Sequence, residues 1–256
     1  MIATATTMGP VHLTVADLDR TIDYWTRVVG LEVLERADGR AELGSGGRLL
    51  VAFREVPGAR PAPHATGLFH VALLTPEREH LALWLAHAIR DGVQLSGASD
   101  HFVSEAIYLR DPDHHGIEIY ADRPREQWEG KVAERMTTLP LDANDLLQLA
   151  GDEPFTGLAE GTVMGHVHLS VADVEESVAF YRDLGFDVMA RYGAEAAFLA
   201  TGGYHHHLGA NTWQSLGAPY APDDRARLML VEIHGAPEER AVRDPSGIPL
   251  QLLTAA

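Results

Sequence analysis

The stretch that decides the fold runs from Thr66 to Arg123. It opens Gly67-Leu68-Phe69-His70-Val71-Ala72-Leu73-Leu74 and closes Tyr108-Leu109-Arg110-Asp111-Pro112-Asp113-His114-His115-Gly116-Ile117-Glu118-Ile119-Tyr120. The opening reads as an apolar strand from Phe69 to Leu74. Residues 76 to 91 carry Leu81, Trp84, Leu85 and Ile89 on one helical face, and Gly92 ends that helix. Residues 94 to 105 are polar and turn-rich, and strands follow at 106 to 110 and 117 to 120. His70 in one strand and Glu118 in another are the two residue types that a 2-His-1-carboxylate iron site uses, and only its third ligand must come from elsewhere. An unpaired carboxylate between Ile117 and Ile119 would be expensive, and coordination to a cation removes that cost. An outward-facing glutamate is the other reading that the alternation permits.

Working outward, the same order of elements precedes this unit. Gly9 to Val15 alternates like a strand, and Asp17 caps a helical pattern of Leu18, Ile22, Trp25 and Val29 that Gly30 stops. Strands are expected at 31 to 35, 40 to 43 and 48 to 54, with a proline-rich connector from Pro57 to Pro63. The aromatic residues of the helix faces, Tyr24, Trp25, Trp84 and Tyr181, are expected in the core.

Beyond it, Met164-Gly165-His166-Val167-His168-Leu169-Ser170-Val171-Ala172-Asp173 repeats Met8-Gly9-Pro10-Val11-His12-Leu13-Thr14-Val15-Ala16-Asp17, and a duplication is the simplest account. Strands are expected at 186 to 192, 196 to 200 and 205 to 213, the last beginning with three histidines. A fourth unit has lost its helix: strand 227 to 234 passes almost directly into 240 to 243 and then Asp244-Pro245. Gln251 falls seven residues after Asp244, as Glu118 falls seven after Asp111. The expected fold is therefore α+β, with four βαβββ modules paired into two cup-like mixed sheets and the fourth module truncated. Modules one and two occupy residues 1–122, a linker with a short helix near 141 to 149 occupies 123–160, and modules three and four occupy 161–256.

Composition narrows the chemistry. With 46% hydrophobic and 22% charged residues the chain is globular. A net charge of -17 repels phosphate backbones and anionic lipid, so neither nucleic acid nor membrane is an expected partner. The absence of cysteine leaves His, Asp and Glu as metal ligands. Met1 to Thr7 have neither the charge nor the apolar run of a targeting segment, which makes the cytoplasm the expected location.

A first strand reading His-Val-x-Leu-x-Val and a last strand reading Asp-Pro-x…Glu resemble the vicinal oxygen chelate superfamily of glyoxalases, bleomycin-resistance proteins and extradiol dioxygenases. Within it, the chain resembles two-domain catechol 2,3-dioxygenase-like proteins. The carrying residues are Gly97-Ala98-Ser99-Asp100-His101, Tyr108 ten residues before Glu118, and Gly203-Tyr204-His205-His206-His207-Leu208-Gly209. The resemblance implies two modules closing a cup around a divalent metal, with His70, Glu118 and His166 as its ligands. His168, two residues on and on the same strand face, is a rival or supporting group, while Pro10 stands at the corresponding ligand position of the first module.

The resemblance also implies a histidine acid/base from the partner module. Strand alternation puts His205 and His207 on one face and His206 on the other, and His206 is the candidate. His101 and Tyr108 resemble the remaining substrate-facing pair, whereas His114 and His115 are expected in solvent. These residues gather in one place only if the second module pairs with the third and the first with the fourth.

The implied activity is extradiol cleavage of a small aromatic diol by dioxygen, with Fe(II), or else Mn(II), as cofactor. A glyoxalase or isomerase using Ni(II) or Zn(II) and a non-enzymatic binding or resistance protein are the rivals. The sequence leaves the oligomeric state open, a homo-oligomer included.

Overall fold

A computed structural model describes residues 6–151 and 153–255, so the first five residues read for targeting signals lie outside the described residues. The fold is α+β and dominated by strands. One sheet has seven strands, in the order Arg240–Arg243, Pro249–Leu253, Leu228–His234, Thr7–Val15, Arg48–Glu55, Arg40–Ser45, Glu32–Ala37. The other has nine, in the order Leu139–Pro140, Leu95–Asp100, Ser104–Arg110, Gly116–Asp122, Gly67–Leu74, Val163–Ser170, Leu208–Asn211, Ala196–Ala200, Asp187–Tyr192. The seven-stranded sheet thus takes its strands from the two ends of the chain and the nine-stranded sheet from its middle.

The seam of the nine-stranded sheet matters most. Gly67–Leu74 runs antiparallel to Val163–Ser170, with His168 opposite His70 and His166 opposite Ala72. In the other sheet Thr7–Val15 runs antiparallel to Leu228–His234. These are the expected pairings, the second unit with the third and the first with the fourth.

Helices cover the sheets and close the core between them. Asp17 accepts a hydrogen bond from Arg20 N and caps the helix Leu18–Tyr24, which continues as a π-helical turn from Trp25 to Val29 before Gly30 ends it at φ 95°. Asp173 likewise accepts from Glu176 N to cap Val174–Leu184, and Gly185 ends it at φ 112°. Trp25, Trp84 and Tyr181 are fully buried, as expected. Tyr24 is only half-buried and donates its hydroxyl to Arg110 O.

Three local expectations are corrected. Leu95–Asp100 is a strand, near the sheet margin, where partial exposure suits its small and polar residues. His205, His206 and His207 precede the strand Leu208–Asn211, because Gly202 and Gly203 at φ 60° and 67° turn the chain there, so strand alternation does not govern them. His115 is buried and its Nε2 lies 2.9 Å from Thr14 O, whereas its neighbour His114 is exposed. No helix among the described residues is long and apolar enough to cross a membrane.

Candidate metal centre

Three neighbouring strands bring three ligand-type side chains together. Gly67–Leu74 carries His70, Gly116–Asp122 runs parallel to it carrying Glu118, and Val163–Ser170 carries His166. Glu118 Oε2 is 2.9 Å from His70 Nε2 and 3.1 Å from His166 Nε2, and the two nitrogens are 3.4 Å apart. One ligand atom from each residue lies within 4.8 Å of the others, and all three residues are buried.

Burial alone would push the Glu118 carboxyl up. The two imidazoles outweigh it and hold the carboxyl well below the usual range, as an anion. Burial pushes the His166 imidazole down against the pull of Glu118, which favours the neutral ring that a metal ligand must be. One carboxylate and two imidazoles, with no thiolate, form a donor set that suits a divalent first-row metal.

His168 lies beside this group. Its ring centroid is 4.9 Å from that of His70, and its Nε2 is buried without a hydrogen-bond partner among the described residues. Gly209 makes its position possible, since a Cβ there would come within 2.7 Å of the His168 ring.

A cavity of about 430 Å³ opens over these residues, a size suited to a small molecule. Phe69, Tyr192, Phe198 and Trp213 form its aromatic walls. Tyr108 stands opposite Glu118 on the neighbouring strand, and its hydroxyl is 2.7 Å from His101 Nε2. His101 Nδ1 is 2.6 Å from Thr137 O, which only accepts. His101 therefore donates at Nδ1, while its Nε2 meets a Tyr108 hydroxyl that also interacts with the Glu118 carboxylate. Burial first, and Glu118 next, raise the Tyr108 phenol well above its ordinary value, so it keeps its proton.

The three consecutive histidines diverge. His206 lines the cavity with its ring centroid 4.0 Å from that of His166. Burial, then the surrounding imidazoles His166, His205, His168 and His101, push it well below 6.5, which leaves it neutral. His205 turns to Asp122, at 2.8 Å, and His207 Nδ1 accepts from Thr201 N at 3.3 Å. His12 lies in the other sheet, 2.7 Å from Glu232 Oε1.

Sequence reasoning missed the aromatic walls and Asp122. Trp213 and Phe198 carry no motif of their own. Asp122 could have been found by counting, since it is the second even step beyond Glu118 along one strand.

Known proteins share this architecture. A maize (Zea mays) glyoxalase I structure superposes with a TM-score of 0.57 at 18% identity, over 96% of this chain and 92% of its own. A catechol-2,3-dioxygenase of Bacillus subtilis (strain 168) is 44% identical over 232 residues, 87% of this chain and 80% of that protein. The sequence model of the "Glyoxalase/Bleomycin resistance protein/Dioxygenase superfamily" matches residues 7–119 and 163–222, which contain His70, Glu118, His166 and His206. With the match spanning both strands of the histidine seam and the strand of the carboxylate, the chain belongs to that superfamily.

Proposed function

We propose that this protein is a metal-dependent extradiol dioxygenase that opens the ring of a catechol-type aromatic beside its two hydroxyls. One observation carries the reading. A buried 2-His-1-carboxylate set, His70, His166 and Glu118, forms the floor of an aromatic-walled cavity in a chain 44% identical to a catechol-2,3-dioxygenase.

These three residues would hold Fe(II), with Mn(II) the alternative of the same charge and ligand preference. Such an ion supplies Lewis acidity and one-electron chemistry where an aromatic diol and dioxygen meet.

The chain's own residues do the rest. Phe69, Phe198 and Trp213 present apolar faces to an aromatic ring and exclude water from it. Tyr108, its hydroxyl held between His101 and Glu118, lines the cavity and hydrogen-bonds a substrate hydroxyl there. The neutral His206 takes a proton from the diol on the His166 side and returns it later, a role worth roughly 10²- to 10⁴-fold in rate.

The test is oxygen uptake by protein loaded anaerobically with Fe(II), offered a panel of catechols, with the yellow ring-fission product followed by absorbance. Uptake and colour that depend on the metal are expected. A fully loaded protein that consumes no oxygen with any catechol overturns the proposal.

A further inference from the structure

Residues 118, 120 and 122 share one face of their strand. Glu118, Tyr120 and Asp122 therefore stand in a row roughly 13 Å long at the strand's rise per residue. Asp122 Oδ1 is 2.8 Å from His205 Nε2, and His205 Nδ1 is 2.8 Å from His206 Nδ1. His205 is wholly buried, whereas the Asp122 side chain is 25% exposed. Its carboxylate lines a second, polar cavity with Arg78, Arg123 and Gln127, and His206 lines the aromatic one. The three side chains bridge the two cavities.

Hydrogen-bond bookkeeping then assigns the protons, with His205 taken as neutral in the proposal. A carboxylate only accepts, so His205 Nε2 carries a hydrogen. Neutral His205 has a bare Nδ1, so the hydrogen between the two imidazoles sits on His206 Nδ1. That leaves His206 Nε2 bare. The rings of Tyr204 and Trp128, with centroids 4.0 and 5.4 Å from that of His205, hold it in this orientation.

We infer that Asp122 and His205 are positioning residues that set the tautomer of His206 and pass its proton to the second cavity. The inference rests on reading His206 as the acid/base toward substrate. The transfer involves no net oxidation. A substrate O–H bond breaks as His206 Nε2–H forms, and His206 Nδ1–H then breaks as His205 Nδ1–H forms. The imidazolium so made is paired with the Asp122 carboxylate, and that carboxylate receives the Nε2 proton and releases it to water. The reverse sequence resets the donor.

Nitrogen-15 NMR of histidine-labelled, metal-free protein, with its Asp122→Ala, Asp122→Glu and His205→Phe variants, tests this without needing any substrate. The expected wild-type spectrum shows His206 protonated at Nδ1 and bare at Nε2, with loss of that preference in Asp122→Ala and His205→Phe. In turnover of a catechol by Fe(II)-loaded enzyme, Asp122→Ala should lower kcat at least about tenfold. Bound iron and KM should be unchanged, and Asp122→Glu should restore part of kcat. A wild-type His206 protonated at Nε2, or an Asp122→Ala variant with native tautomer and native kcat, overturns the inference. Should no catechol be turned over, the function proposed above fails while the tautomer measurement still decides this one. The wild-type spectrum decides it even if a variant does not fold.

Discussion

Trp25 Nε1 donates a hydrogen bond to Asp111 Oδ2 at 3.1 Å, joining the first helical segment to the Asp-Pro turn that leads into the Glu118 strand. The C-terminal half repeats the contact: Tyr181 OH donates to Asp244 Oδ2 at 3.2 Å. The turn residue two positions on is matched as well, because Ala16 N donates to Asp113 Oδ2 and Ala172 N to Ser246 Oγ. Consecutive units are thus clasped through helix and turn even though their strands enter different sheets.

Removing either donor leaves a buried carboxylate oxygen short of a partner. Trp25→Phe and Tyr181→Phe should each lose about 1–3 kcal/mol, Trp25→Phe the more because it also removes ring volume. Urea unfolding checks this, with a lowered midpoint and an unchanged slope expected for both.

Asp244 carries a pH dependence of its own. Burial raises its carboxyl from 3.8 to about 6, against the lowering effect of bonds from Ile248 N, Tyr181 and Ser246. Between those values the folded chain binds more protons than the unfolded one. The contribution of Asp244 to stability therefore falls as pH rises from about 4 to about 6, by at most about 3 kcal/mol. Asp244→Asn should flatten that limb of the stability profile, and denaturant midpoints measured across pH 4 to 7 show whether it does.

Much of this site was legible in sequence because strands advertise themselves. Period-2 alternation, the Asp-Pro turns and the repeat of 8–17 at 164–173 locate His70, Glu118 and His166 on strands, and the chemistry of Pro10 and Gln251 indicates which units share a sheet. Where local backbone broke the period, the reading failed. Paired glycines at 202 and 203 turn His205, His206 and His207 out of a strand, so their directions follow from tertiary contacts with Asp122, His166 and Thr201. The burial of His115 was equally hidden, because its partner Thr14 is 101 residues away in sequence.

Glu118→Ala tests the carboxylate ligand directly. In the metal-free chain this carboxylate lies within hydrogen-bond distance of the His70 and His166 imidazoles and interacts with the Tyr108 hydroxyl, all three lining the cavity, so its loss removes a polar contact from a cavity wall and no packed apolar volume. The variant should fold, with native circular dichroism, and should lose stoichiometric Fe(II) or Mn(II) in elemental analysis after dialysis. Metal retained at wild-type affinity would remove Glu118 from the site.

The third ligand is decided by comparing two histidines at similar places in the repeat. His166 reaches the centre from the strand that pairs with the His70 strand, whereas His12 lies in the other sheet and is held by Glu232 at 2.7 Å. His12 also remains 27% exposed at its side chain, so neutral substitution there costs little and touches nothing near Glu118. His166→Ala removes one of the three proposed ligands and leaves a cavity beside His206. His168 cannot replace it without leaving the slot that Gly209 opens for its ring. Titration of metal-free protein with Mn(II), read by electron paramagnetic resonance, should show affinity lowered at least about a hundredfold in His166→Ala, a loss of roughly 3 kcal/mol. His12→Ala should bind like the wild type. The reverse result would place the metal in the seven-stranded sheet and remove His206 from its neighbourhood.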